Sequence, residues 1–365
     1  MGGGEMKYVD EAYTSNWVAP LGPNVDQFES DIQNFTGSKY CAALSSGTAA
    51  LHLALILADV NPGDYVICQS LTFSATANPI AYLGANPVFI DSETDTWNMD
   101  PDLLEIAIID LADKAIKPKA IIPVHLYGMP AKMKKICEIA QKYSVPVIED
   151  AAESLGSLYQ SRVTGTFGEM GIVSFNGNKI ITTSGGGALI SDNQSLIEKA
   201  RFLATQARDD APHYQHSQIG YNYRMSNILA GIGRGQMEIL NLRIQQRRSI
   251  NQWYRSLFLE IEGVEFQSEP TEDYFSNFWL TAIRIDPKIA GVTKEEVRIK
   301  LIEENIESRP LWKPMHLQPV FQKYKRYLNG TSEYLFNQGL CLPSGSNLTL
   351  REKSRITEAL SRIFK

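Results

Sequence analysis

The run Val145-Pro-Val-Ile-Glu-Asp150 restricts the fold more than any other stretch of this chain. It is short, β-branched and ends in two carboxylates, the pattern of a parallel strand buried on both faces that delivers an acid at the carboxyl end of its sheet. Open α/β sheets bind ligands at that end. A second such run, Gly171-Ile-Val-Ser-Phe175, breaks into Asn176-Gly-Asn178. Lys179 follows, ahead of Thr182-Thr-Ser-Gly-Gly-Gly187. A cation on a glycine-bordered loop is thus expected close to the acid.

The same alternation runs through the first two thirds of the chain. Tyr40–Leu44, Asp64–Cys68, Pro87–Asp91 and Lys119–Val124 read as strands, each followed by a helical pattern, so a mainly parallel sheet covered on both faces is expected. Val25–Phe35 reads as an amphipathic helix closed by Gly37. Leu71–Thr76 begins a helix and Ser195–Ala207 forms another. The polar-aromatic loop Gly220–Asn227 feeds a helix from Ile228 to about Leu259, which lacks proline and is long enough to bridge two domains. After about Glu260 the pattern changes to a strand at Trp279–Ile285, a helix at Lys294–Glu304 and the segment Ser308–His316. These imply an α/β domain over residues 1–240 and a smaller α+β domain over 241–365, in keeping with the prior of about 150 residues per domain for a chain of 365.

Charge and cysteine usage remove several function classes. A net charge of −6 with no dominant basic cluster argues against a nucleic-acid binder, because counterion release needs a basic face. Cys41, Cys68, Cys137 and Cys341 are widely spaced, which fits reduced core thiols rather than a zinc site or disulfide framework. No apolar stretch reaches the ~20 residues of a membrane span and no signal-peptide pattern opens the chain, so a cytoplasmic location is expected.

Three local features carry chemistry. Ser46, Gly47 and Thr48 sit where a strand turns into a helix, so their backbone N–H groups and the helix dipole could hold a phosphate; N-capping by the same hydroxyls is the plainer use. Phe73, just past a strand end, either covers a flat ring or packs in the core. Asp150 and Lys179 form the third feature. A loop lysine is ordinarily solvated, but one chemistry joins a lysine to a strand-end acid: the lysine forms a Schiff base with pyridoxal phosphate (PLP) while the acid pairs with the pyridine nitrogen.

Taken in order, Ser45-Ser-Gly-Thr-Ala-Ala-Leu51, Glu149-Asp-Ala-Ala-Glu153, Ser174-Phe-Asn-Gly-Asn-Lys179, Gly185-Gly-Gly-Ala-Leu189 and Gly220-Tyr-Asn-Tyr-Arg224 resemble the DegT/StrS-type sugar aminotransferases over nearly the whole chain. The resemblance implies PLP fold type I, the aspartate aminotransferase-like architecture. It makes Lys179 the Schiff-base lysine, Asp150 the partner of the ring nitrogen and Phe73 the stacking residue. Ser46, Gly47, Thr48 and Ser174 would hold the phosphate, joined by Asn222 from the other subunit of a homodimer with shared sites. Glu153 would stand beside the ring. Arg309, Trp312 and His316 fall at the family's sugar-nucleotide contacts, with Asn277 and Trp279 joining them.

Within the family, Thr205-Gln-Ala-Arg208, Ser308–His316 and Cys341-Leu-Pro-Ser-Gly345 are similar to the C4 aminotransferases of bacillosamine biosynthesis. That implies transfer of an amino group from L-glutamate, which leaves as 2-oxoglutarate, to UDP-2-acetamido-2,6-dideoxy-4-keto-glucose. Relatives carry several more residues ahead of Gly2-Gly3, a segment that can touch the substrate. Sugar C3-dehydration is disfavoured because relatives that perform it replace this lysine by histidine. C3 amination of a dTDP-3-keto-6-deoxy sugar shares all the PLP residues. A PLP-binding regulator without turnover is the non-enzymatic alternative, although nothing here resembles a DNA-binding module.

Overall fold

The strands of the chain are β1 (Tyr40–Leu44), β2 (Tyr65–Gln69), β3 (Asn86–Ile90), β4 (Ala120–Ile122), β5 (Ile148–Asp150), β6 (Leu158–Tyr159), β7 (Arg162–Val163), β8 (Met170–Ser174), β9 (Gly187–Ser191), β10 (Val264–Phe266), β11 (Tyr274–Phe275), β12 (Thr281–Ile285), β13 (Arg309–Pro310), β14 (Arg326–Tyr327) and β15 (Gly339–Leu342). They come from a computed structural model that describes residues 1–364. The rows β1-β9-β8-β5 and β4-β2-β3-β14 are joined through the parallel bridges Ile121–Val147 and Val124–Asp150, which makes one continuous sheet. Every strand in it is parallel except β9, which runs antiparallel to both neighbours.

Period-two alternation explains why these runs are apolar throughout. Along β1, Ala42 and Leu44 enter one core layer while Cys41 and Ala43 enter the layer on the opposite face. Along β2, Val66 and Cys68 part from Ile67 in the same way. A strand buried on both faces has no polar side to show. The helix Pro23–Thr36 covers one face through Val25, Phe28 and Ile32, at helical spacing, and ends on Gly37 at φ 77°, a conformation that favours glycine.

A second sheet, β10-β12-β15-β13, is antiparallel. It shares a core with the helices Lys294–Glu303 and Leu350–Ile363 and with Ile250 and Tyr254 of Leu240–Leu257. Two short pieces of this later region return to the earlier one: β11 pairs with β6, and β14 adds to the edge at β3.

The single helix expected from Ile228 to about Leu259 is in fact two, Asn227–Met237 and Leu240–Leu257. Ile239 has φ −113° and ψ 8°, and its N–H bonds three residues back to Gln236. No proline or glycine marks residues 238 and 239; packing sets the break. Gly231, Gly233 and Gly235 let the first helix approach Tyr8, Phe28 and Glu5 closely, and Glu238 accepts the Tyr8 hydroxyl. The helix expected at Ser195–Ala207 spans Gln194–Ala204, because Gln206 and Ala207 take positive φ. The helix expected from Leu71 starts only as a 3₁₀ turn at Ser74–Thr76. Among the described residues no helix is long and apolar enough to cross a membrane.

Candidate active site

At the carboxyl ends of the central strands lies a cavity of about 310 Å³. Ser46, Gly47, Thr48, Phe73, Asp150, Glu153, Ser174, Lys179, Trp279 and Trp312 all line it, although the first and last are 266 positions apart in sequence.

One end of the cavity is a helix start. Ser46 is extended, at φ −167° and ψ 162°, and its hydroxyl accepts the Ala49 N–H at 3.0 Å. The hydroxyl therefore is an N-cap, and the N–H groups of Gly47 and Thr48 remain free of intrahelical partners by geometry. That leaves a positive dipole end with backbone donors beside Ser174. Gly187 makes the arrangement possible, since a Cβ there would lie 2.4 Å from the Gly47 nitrogen.

The other end is acidic. Glu149 and Asp150 are neighbours on β5, and alternation sends them to opposite sides. Glu149 is fully buried and accepts from Gly165 N at 2.8 Å, Gly168 N at 2.6 Å and His125 Nε2 at 3.0 Å. Asp150 faces the cavity, where the Thr76 hydroxyl donates to it at 2.7 Å and Ala152 N at 3.2 Å. Thr76 in turn meets the Thr72 hydroxyl at 2.8 Å. Sequence reasoning missed Thr76, whose surroundings read only as the start of a helix.

Lys179 also lines the cavity, with a side chain 12% exposed. Its Nζ is 3.6 Å from Glu153 Oε1 and 4.3 Å from the centre of the Trp279 ring. The indole of Trp279 is itself fixed by donation to the Asn178 carbonyl at 2.7 Å. Burial raises the Glu153 carboxyl above its ordinary range, and the Lys179 charge opposes that rise. The other Glu153 oxygen accepts Tyr127 N at 2.7 Å. Phe73 is half exposed, its ring 5.3 Å from that of Trp312.

Asn277, His316, Arg309 and Asn222 do not line this cavity. Asn277 is fully buried, donating to the carbonyls of Glu153 at 3.1 Å and Leu155 at 3.0 Å while accepting Trp279 N at 2.8 Å. Both of its amide N–H donors are spent on backbone and it does not line the cavity, so it is a clip beneath the site rather than a substrate contact. His316 is buried too, held between Ser70 Oγ at 2.7 Å and Glu333 Oε1 at 3.1 Å. Arg309 is exposed and pairs with Glu307; it lines a larger groove of about 810 Å³ that begins at Asn178, Trp279 and Trp312 and so continues from the cavity. Asn222 is exposed and lies outside the cavity of its own chain.

An anion cradle, a partly buried amine, an aromatic face and a strand-end carboxylate around one cavity match the donor set that PLP needs: its phosphate, aldehyde, ring face and ring nitrogen each find a suitable group. With the mainly parallel sheet, this defines a PLP-dependent enzyme of fold type I. The chain belongs to the DegT/DnrJ/EryC1/StrS aminotransferase family, whose model matches residues 1–361. It is 53% identical to EpsN of Bacillus subtilis (strain 168), named as a pyridoxal phosphate-dependent aminotransferase, over 100% of this chain and 94% of that one. It is 35% identical to the GDP-perosamine synthase of Escherichia coli O157:H7 over 99% and 96% of the two chains. A crystal structure of a DegT DnrJ EryC1 StrS aminotransferase from Brucella abortus superposes with a TM-score of 0.91 at 28% identity, covering 99% of this chain and 95% of the other. The protein is a sugar aminotransferase, and PLP is its cofactor.

Proposed function

We propose that this enzyme moves an amino group from L-glutamate to C4 of UDP-2-acetamido-2,6-dideoxy-4-keto-glucose, giving the 4-amino-2,4,6-trideoxy product, in the cytoplasm and as a homodimer. The observation that carries the aminotransferase part of this reading is Lys179 Nζ, partly buried in the same cavity as Asp150 and set against Glu153 and Trp279. When bound, PLP supplies an electron sink for the pair left at a deprotonated carbon and carries nitrogen between the two half-reactions. Lys179 anchors it, then as a free amine takes the proton from glutamate Cα and later returns one at sugar C4. Asp150 keeps the ring nitrogen protonated, oriented for this by Thr76 and Ala152 N. Gly47 and Thr48 N–H, with the Ser46 and Ser174 hydroxyls, bind phosphate. Phe73 covers one face of the ring and Glu153 stands beside it.

The sugar nucleotide then extends into the groove past Trp279 and Trp312 toward Arg309, whose planar fork suits a diphosphate. The UDP reading rests on the segments Thr205–Arg208, Ser308–His316 and Cys341–Gly345. A relative named GDP-perosamine synthase favours a GDP-linked sugar as the second reading. Steady-state assays of UDP-, GDP- and dTDP-linked 4-keto and 3-keto sugars, with product NMR, test both. We expect the UDP-4-keto sugar to have the highest kcat/KM; a better GDP sugar installs the second reading, and a better 3-keto dTDP sugar overturns C4 amination. Failure of the glutamate half-reaction would point to a PLP-binding regulator instead.

Asn222 supports the shared-site reading by being exposed on its own chain. Asn222→Asp sets a carboxylate against the phosphate dianion, so it is expected to weaken PLP binding. Co-expressed with Lys179→Ala, it should recover about a quarter of wild-type activity at limiting PLP, because half of randomly paired dimers are mixed and one of their two sites is sound. No recovery refutes sharing.

A further inference from the structure

The turn from Ser70 to Thr76 leaves the end of β2 and carries Phe73 at its middle. Half of Phe73 is exposed, and its ring packs on that of Trp312. A ring so loosely packed does not hold its own position; the ends of the turn must do so. At the far end the Thr76 hydroxyl is committed to Asp150 at 2.7 Å. At the near end the buried Ser70 hydroxyl meets His316 Nδ1 at 2.7 Å, and the Ser70 carbonyl accepts Met315 N at 2.8 Å. His316 Nε2 faces the Glu333 carboxylate at 3.1 Å, so Nε2–H donates to Glu333 and the neutral ring presents Nδ1 to the Ser70 hydroxyl as an acceptor. Both rings of the Phe73–Trp312 pair therefore sit on segments joined at Ser70, through its backbone carbonyl to Met315 and through its buried hydroxyl to the His316 imidazole, three positions from Phe73 and four from Trp312.

We propose that His316 and Ser70 form a latch that positions Phe73 over the bound cofactor, so that His316 is a positioning residue for PLP and not a contact of the sugar. The proposal rests on the reading above that Phe73 covers the ring. The latch side of the imidazole is Nδ1, and Glu333 serves only to set its tautomer. An asparagine places a polar atom near the Nδ1 position, whereas a glutamine reaches toward that of Nε2. The two substitutions thus separate the Ser70 contact from the Glu333 contact.

The test is the Kd for PLP, measured by cofactor fluorescence with neither glutamate nor sugar present, followed by KM for the keto-sugar. Phe73→Ala, Ser70→Ala and His316→Gln are each expected to raise the PLP Kd about three- to tenfold, the range an aromatic contact supplies. His316→Asn should stay within about twofold of wild type. Ser70→Ala removes a single hydroxyl, so it keeps the test sound should a His316 variant fold poorly. A wild-type PLP Kd in Ser70→Ala and His316→Gln, with Phe73→Ala impaired, overturns the latch alone. If instead His316→Gln raises only the sugar KM, His316 touches the sugar. A wild-type Kd in Phe73→Ala overturns both the latch and the role given to Phe73.

Discussion

The cavity has two walls built by different means. The cofactor wall consists of strand ends and the turns that leave them: Asp150 ends β5, Ser174 ends β8, and Ser46 to Thr48 begin the helix that follows β1. Each side chain there is positioned by backbone that the sheet fixes. The second wall, which we propose for the substrate, comes from segments far along the chain, Asn277 to Trp279 and Arg309 to His316, whose Trp279 and Trp312 reach the cavity only by tertiary packing. Its polar groups divide sharply. Asn277 and His316 are buried and committed to protein partners, Arg309 is in solvent, and only the indoles of Trp279 and Trp312 line the cavity. A position in a motif foretold location well on the first wall and poorly on the second.

If the cofactor wall carries the chemistry, the largest loss should follow Lys179→Ala. Removal of the proton carrier alone is worth roughly 10²–10⁴-fold in turnover, and loss of the anchor should abolish the visible absorbance of the bound cofactor. Borohydride reduction of the wild-type enzyme and peptide mass analysis should place the label on Lys179; a label on another lysine breaks the assignment.

A smaller but still large effect is expected for Asp150→Asn. The amide cannot hold the ring nitrogen cationic, and a lost charge-assisted hydrogen bond of about 1.5–3 kcal/mol lowers the rate about ten- to hundredfold. The melting temperature should change little beside that loss. A near-normal glutamate half-reaction would remove Asp150 from the mechanism.

The substrate wall is probed by Arg309→Ala, with the smallest effect on the folded state. Its side chain is 75% exposed and pairs with a Glu307 that is 72% exposed, so stability should shift by less than about 0.5 kcal/mol. The KM for the sugar nucleotide should rise while the glutamate half-reaction stays at its wild-type rate. An unchanged KM would leave the groove without its diphosphate contact and sharpen the contrast between the walls further.

The sequence by itself determined the parallel strands β1 to β5 and β8 and the meeting of Asp150 and Lys179 at one cavity, but not β9 or β14. Short β-branched runs ending in polar residues read as neighbouring strands of a buried sheet, and the strand period then sends successive residues to opposite faces. Glu149 and Asp150 show the limit of that rule. Alternation says that they part, whereas the hydrogen bonds of Gly165 and Gly168 decide which one is spent in the core. Tertiary structure alone decided the break at Ile239, because glycines in one helix admit two others and no local residue signals the bend. It also decided the fate of His316 and the role of Thr76. The Ser70–His316 contact spans 246 positions and the Thr76–Asp150 contact spans 74. A hydrogen bond of that kind depends on two surfaces meeting in the fold, and neither partner's neighbours in the chain carry a trace of the other.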